Sequence, residues 1–217
     1  MRALPIVAFA LLVAAGAALA QQGAQPLHGR FEGAERWAQV FDDPARDAWQ
    51  KPAEAIHALK LAPDAVIADI GAGTGYFAVR LARAVPRGRV YAADVEPGMV
   101  RYLNERAARE KLANLSSHVA GAADARLPGP VDLAILVDTY HHIADREVYF
   151  RKLRDALKPA GRIAIIDFKP DSPFGPRHGR IAPGRVTAEM DRAGFRLAEE
   201  HGFLPYQYFL VFALPGS

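Results

Sequence analysis

Three short stretches of this chain carry residues whose types and spacing can do chemistry. The first is Asp69-Ile70-Gly71-Ala72-Gly73-Thr74-Gly75. Glycines at alternate positions let the backbone turn tightly and let a ligand approach it with no Cβ in the way. The second is Asp94, 19 residues after Gly75, where a carboxylate can accept hydrogen bonds from two ribose hydroxyls. The third is Asp138-Thr139-Tyr140-His141-His142. It groups a carboxylate, a phenol and two imidazoles, all suited to orienting or deprotonating a substrate. Adjacent residues cannot all point inward, so at most one of the two histidines is expected to act.

The glycine-rich turn is not that of a dinucleotide site. Such a site reads G-x-G-x-x-G, with Gly or Ala at the sixth position. Here Tyr76 stands there, and the third glycine arrives one residue early. Asp69 lies two residues before the first glycine. It would repel a pyrophosphate but suits a cationic ligand carrying an amino group.

The elements that must position these residues alternate between short apolar runs and amphipathic helices. Strands are expected at Val66–Ala68, Arg89–Ala93, Leu115–Ala120, Val131–Val137 and Arg162–Phe168. Helices are expected at Thr74–Ala84, Pro97–Leu112, Asp145–Leu157 and Pro183–Ala193. Phe77, Leu81 and Val85 recur at the spacing of one helical face, as do Val100, Leu103 and Ala107. Lys158-Pro159-Ala160-Gly161 reads as the stop after the third helix. Two β-rich runs, Phe195–Glu200 and Tyr206–Ala213, close the chain with no helix between them. Apolar strands alternating with helices predict a doubly wound α/β fold, a mostly parallel seven-stranded sheet with helices on both faces. The last two runs predict an antiparallel hairpin at one edge. In such a sheet both the glycine turn and residues 138–142 fall at the C-terminal strand ends, the mouth of the crevice. The Pro- and Gly-rich loop Lys169–Pro183, with Arg177, His178 and Arg180, follows the fifth strand to the same end.

Composition narrows the function. Of 217 residues, 51% are hydrophobic and none is Cys. That excludes a disulfide scaffold, Cys-ligated zinc, an iron–sulfur centre and a Cys nucleophile. The formal net charge is only +3, and no block of Lys and Arg carries interleaved aromatics, so no nucleic-acid partner is expected. The histidines and Asp138 do not fall at a known metal spacing, and no metal is expected. Arg2, the apolar run Ile6–Ala20 and its Ala18-Leu19-Ala20 end have the layout of a secretory signal peptide. The run is short for a membrane span, and no later segment is apolar enough for one. Residues 1–20 are therefore read as an export signal, implying a periplasmic protein with no stable membrane anchor, or a cytoplasmic one if the signal is false. Residues 21–60 read as a polar leader and a helical cap broken by Pro44 and Pro52, carrying Trp37, Phe41 and Trp49. Trp49-Gln50 either covers the ligand or anchors the cap. Residues 61–217 form the main domain.

Five motifs, in order, carry a resemblance. Val66 to Leu81, VIADIGAGTGYFAVRL, resembles the first motif of the Rossmann-like S-adenosylmethionine-dependent methyltransferases. Tyr91 to Met99, YAADVEPGM, resembles their second. Gly121 to Pro128 resembles the adenine-side segment, Val131 to Ile143 the fourth-strand motif, and Leu157 to Arg162 the turn into the fifth strand, with Ala160 where Gly is commoner. The order and spacing match from about residue 53 to the end of the chain.

The resemblance implies that Gly71, Ala72, Gly73 and Gly75 shape the turn under S-adenosylmethionine. Asp69 would hold its amino acid end, Asp94 its ribose and Val95 its adenine, with Asp124 and Ala125 at the adenine edge. Asp138 would face the amino group or the methyl-bearing end, and Tyr140, His141 and His142 the acceptor. Asp124 reads equally as a turn-stabilising residue, Asp94 as a solvated strand-end carboxylate, Val95 as core, and the histidine pair as a helix cap. The implied activity is methyl transfer to a small-molecule acceptor, with proximity and alignment as the protein's main contribution. Without Cys the chain cannot use the thiol chemistry of similar arsenic methyltransferases. Two other readings stand beside it: an exported, non-catalytic nucleoside-binding protein on the same fold, and a nicotinamide-dependent oxidoreductase, which Asp69 and Tyr76 disfavour.

Overall fold

The computed structural model of the chain describes residues 33–175 and 179–216. The expected signal segment, the leader up to Arg30, and Arg177 and His178 lie outside the described residues. Seven strands form one sheet: β1 (Val66–Ile70), β2 (Arg89–Asp94), β3 (Leu115–Val119), β4 (Val131–Val137), β5 (Leu157–Phe168), β6 (Arg196–His201) and β7 (Gln207–Ala213). Their order is β3-β2-β1-β4-β5-β7-β6. The first five are parallel, and β7 runs antiparallel to both β5 and β6. The doubly wound α/β sheet and the closing hairpin are thus as the residue pattern predicts.

Alternate residues along each central strand feed two cores, which is why the runs are apolar throughout. Ile67, Leu133, Ile135, Ile166 and Val211 pack with α3 (Pro52–Ala58), α4 (Ala78–Ala84) and α5 (Pro97–Arg109). Ala68, Leu136, Ile165, Leu210 and Phe212 pack on the other face, with α6 (Arg146–Asp155) and α7 (Pro183–Arg192). Phe77, Leu81 and Val85 are buried together, as are Val100, Leu103 and Ala107. Pro52, Pro97 and Pro183 open their helices, where a missing N–H costs nothing.

Two expectations shift. The helix expected from Thr74 begins at Ala78, because Gly71, Gly73 and Gly75 all take positive φ and hold the preceding residues in turns. The stop expected at residues 158–161 is instead extended chain within β5: Leu157 already pairs with Val131, and the register shifts before Arg162 meets Leu133. Ala55 and Leu59, within the segment read as the cap, are fully buried in the first core. Ahead of α3, the cap consists of α1 (Ala34–Phe41), a short 3-10 turn at Pro44–Arg46 and α2 (Asp47–Gln50).

The chain leaves β1 toward β2 and β3 on one side, and β4 lies against β1 on the other. The space above the C-terminal ends of β1 and β4 is therefore the topological switch point, where open α/β sheets bind ligands. The glycine turn leaves β1 at this point, and residues 138–142 leave β4 beside it.

Candidate active site

The glycine turn and the segment after β4 are built to touch. A Cβ on Gly71, at φ 74°, would run into the Thr139 side chain, and one on Gly75, at φ 94°, into Leu103. Glycine is required at both for close approach as well as for backbone conformation. The Gly71 N–H donates to the Ala93 carbonyl at 2.8 Å, tying the turn to the end of β2. Asp94 completes that tie. Its Oδ2 accepts from the Gly73 N–H at 2.8 Å and its Oδ1 from the Glu96 N–H at 2.9 Å. Burial pushes the Asp94 carboxyl upward, against those two N–H donors. Each carboxylate oxygen has a second acceptor site, so Asp94 can still receive hydroxyls. Beside it Val95 is 53% exposed, an apolar side chain left at the surface rather than in the core.

Asp69 lies beneath the turn, 2% exposed, and its Oδ2 is buried with no hydrogen-bond partner. Burial, then the nearby Asp94 charge, raise its pKa to about 7. A buried carboxylate without a matching cation is costly to ionise, and a cation placed against it reverses that cost.

Asp138 is a second, half-buried carboxylate, held at φ 52°. Gln50 donates to its Oδ2 at 3.0 Å and Gln207 to its Oδ1 at 2.6 Å, while the Arg46 guanidinium lies 3.8 Å away. Burial and the neighbouring Asp167 hold its carboxyl well above the usual range, with Arg46 and the two glutamines opposing them. Arg46 also lies over the Tyr76 ring at 4.2 Å, and Arg80 lies over the same ring at 4.1 Å. Asp47 pairs with Arg80 at 3.0 Å and accepts from the Tyr76 hydroxyl. Tyr76, the residue that breaks the dinucleotide pattern, is therefore the post on which the cap is fixed. Phe41 packs over Gly73, and Arg106 of α5 holds the cap through Asp42 at 2.9 Å. Both readings of Trp49-Gln50 have a basis: Gln50 is fully buried on Asp138, and Trp49 anchors the cap by stacking on Phe174 at 5.0 Å.

The segment after β4 divides its residues between site and core. His141 Nδ1 lies 2.9 Å from both oxygens of Asp167, at the end of β5, and its backbone N–H also donates to Asp167. Burial lowers the His141 pKa, but the hydrogen bond and charge of Asp167, with the charge of Asp138, outweigh it and leave the ring above the ordinary range. His142 is half-buried with its ring 4.2 Å from that of His141. Tyr140 does not belong with them. It is fully buried against Phe150, and its hydroxyl donates to Glu189 at 2.7 Å, where Arg146 and Arg185 also bind. The 3-10 turn at Tyr140–His142 turns this ring down into the helix-covered core, which corrects its assignment to the acceptor group.

On the β3 side, Asp124 is exposed, and its Oδ1 accepts from the Arg126 N–H at 2.8 Å, so the turn-stabilising role is present. The Ala125 methyl is buried, and its carbonyl accepts from His118 at 2.9 Å. Ala72 is half-buried in the glycine turn. Arg180 bonds the carbonyls of Pro170 and Phe174, bracing the loop after β5. Among the described residues no group of three or more His, Asp and Glu could hold a metal ion.

The residue pattern alone did not single out Asp167, Gln207 or Arg46, and it named Gln50 only with Trp49 as a cover or anchor. Asp167 and Gln207 had a signal: Asp167 follows the apolar run 163–166 near the end of β5, and Gln207 opens the apolar strand β7. Arg46 had none, and nothing in the chain tied Gln50 to Asp138, because only the folded cap brings them there.

Residues 67–161 match a family model described as a methyltransferase domain. The chain is similar to malonyl-(acyl-carrier protein) O-methyltransferase of Geobacter sulfurreducens, 32% identical over 156 residues that cover 61% of this chain and 56% of that one. It is also similar to the ubiquinone/menaquinone biosynthesis C-methyltransferase UbiE of Syntrophotalea carbinolica, 30% identical over 126 residues, 55% of this chain and 51% of that one. It spans about half the length of these curated relatives. Among solved structures, a SAM-dependent methyltransferase from Aquifex aeolicus superposes with a TM-score of 0.77 at 24% identity, covering 84% of this chain and 98% of that one. The fold is the Rossmann-like methyltransferase fold.

The buried Asp69 makes a testable demand on stability. Its folded pKa, about 7, stands above its ordinary value of 3.8, so the native state binds the extra proton between those values. The associated stability is full below about pH 4 and is lost as pH rises through about 7. Urea-unfolding midpoints followed from pH 4 to 8 should show this decline, and Asp69→Asn should flatten it.

Proposed function

We propose that this protein is an S-adenosylmethionine-dependent methyltransferase acting on a small-molecule acceptor. The observation that carries the reading is Asp69: a buried carboxylate with an unpartnered oxygen beneath a glycine turn. It suits the amino group of an aminoacyl ligand and opposes a pyrophosphate. Asp94 and the exposed Val95 beside it supply what a ribose and an adenine need, and Asp124 and Ala125 stand at the neighbouring turn. The methyltransferase-domain match and the names of the relatives support the same reading.

When bound, S-adenosylmethionine supplies a methyl group on a sulfonium, already activated for in-line displacement. The glycine turn lets backbone approach the ligand without Cβ interference. Asp94 orients the nucleoside, Asp69 fixes the amino acid end, and Asp138 places a second carboxylate facing a cationic centre. Gln50 and Gln207 hold Asp138 in one position, so alignment is set before the acceptor arrives. No large insertion interrupts the strand–helix alternation, which favours a small acceptor.

The test is calorimetry with S-adenosylmethionine and S-adenosylhomocysteine. Both should bind, more tightly at pH 8 than at pH 6 because Asp69 ionises across that interval. Asp94→Ala should weaken binding by roughly tenfold or more, the loss of about two charge-assisted hydrogen bonds. Absence of heat with either ligand, on folded protein, would overturn the reading. Binding with no turnover across a broad acceptor panel would favour the non-catalytic alternative.

We also propose that residues 1–20 direct export. The basic start, apolar run and small-residue end support this. A periplasmic enzyme needs S-adenosylmethionine, which is made in the cytoplasm, and that gives the non-catalytic alternative its basis. N-terminal sequencing of protein from periplasmic and cytoplasmic fractions should find a periplasmic species beginning at Gln21. An intact cytoplasmic chain would reject export.

A further inference from the structure

The surroundings of Asp138 define the acceptor more narrowly, on the reading that this site transfers methyl groups. On one side of Asp138 stand Gln50 and Gln207, and the residues preceding them, Trp49 and Tyr206, belong to a cluster of aromatic rings. Trp49 stacks on Phe174 at 5.0 Å with 4° between the planes, and lies 6.1 Å from Phe168 and 6.4 Å from Tyr206. Phe174 and Tyr206 are 4.9 Å apart. Phe174 is 42% exposed, so the cluster presents an aromatic surface rather than closing into the core. Large apolar rings left at a crevice mouth are a binding surface for flat apolar molecules.

On the other side stands the His141–Asp167 pair. With the Nδ1–H donated to Asp167, Nε2 is the basic nitrogen of the ring, the arrangement that prepares an imidazole to take a proton; Nε2 is buried here, so an acceptor must open a way to it. Around this ring stand Asp167 from β5, Asp138 just after β4 and His142 beside it, with Arg46 on Asp138; the buried Tyr208 hydroxyl from β7 lies close to the two carboxylates. Asp167, buried, and Asp138, half-buried, already occupy Arg46 and the His141 ring, so neither cation is left over for an anionic acceptor. A carboxylate acceptor would be repelled and would need no base, whereas a neutral hydroxyl must lose its proton. Of neutral hydroxyls, only those on an aromatic ring approach the reach of an imidazole, as the phenol value of about 10 shows against that of water.

We propose that the acceptor is a neutral hydroxyaromatic compound that lies against the Trp49–Phe174 surface, with His141 as the general base for its hydroxyl and Asp167 as the positioning residue. The O–H proton passes to Nε2 as the oxygen's electron pair forms the new O–CH3 bond. The S–CH3 bond breaks, its electron pair remains on sulfur as a neutral thioether, and the imidazolium gives its proton to water.

The test uses the purified protein saturated with S-adenosylhomocysteine for binding, and with labelled S-adenosylmethionine for transfer. The probes are 2-naphthol, cyclohexanol and benzoate. In calorimetry 2-naphthol should bind and the other two should not, and Phe174→Ala, at an exposed position, should weaken it several-fold. Transfer to 2-naphthol should rise with pH through the titration of His141. Asp167→Asn should move that rise to lower pH and lower kcat, a shift that a merely structural role would not produce. His141→Ala should lower kcat by about 10²–10⁴-fold with KM little changed. Protein that binds S-adenosylhomocysteine but gives no heat with 2-naphthol, prefers benzoate, or keeps its pH midpoint in Asp167→Asn would overturn this proposal and leave the methyltransferase reading standing. Failure to bind S-adenosylhomocysteine would overturn both.

Discussion

Asp138 is a half-buried carboxylate at a backbone conformation few side chains adopt, and side chains from the cap and from the closing hairpin converge on it. Gln50 and Arg46 come from the cap and Gln207 from the start of β7, while the like charge of Asp167, at the end of β5, opposes the ionisation of Asp138. A buried charge must be paired or hydrogen-bonded, or else it takes up a proton. That requirement fixes the cap to the sheet and the closing hairpin to the crevice. Each donor to Asp138 also brings an aromatic neighbour, so the carboxylate and the ring surface beside it are consequences of one arrangement.

Asp69, which is fully buried, has no such clasp. Its unpartnered oxygen and its elevated pKa describe a place that gains from receiving a cation. With Asp94 close by, two carboxylates lie together at the glycine turn, a poor setting for a pyrophosphate. Electrostatics, more than the glycine pattern, separates this site from a dinucleotide site, because glycine turns serve both.

Much of this was legible in the residues. Strand runs apolar on both faces required helices on both sides, and the closing runs without a helix between them required a hairpin. Asp69, Asp94 and the glycines were visible because their chemistry is local: a turn, a strand end, a spacing. Tyr140 misled because a phenol next to two histidines reads as a group, while a single 3-10 turn sends it to Glu189 in the core. Asp167 became meaningful only once β5 was set beside β4 and brought it to His141. Gln50 and Arg46 lie outside any strand or motif, and their role depends on how the cap crosses Tyr76. Local chemistry was readable from the chain, and chemistry assembled by tertiary contact was not.

The central claim is that Asp69 receives the amino group of S-adenosylmethionine. Carbon-13 NMR of the Asp69 carboxyl carbon, titrated with pH in the free protein and with saturating S-adenosylhomocysteine, reads this directly. The free carboxyl should titrate near pH 7, and ligand should move its titration to lower pH as the ammonium stabilises the charged form. A titration unmoved by saturating ligand would contradict the account.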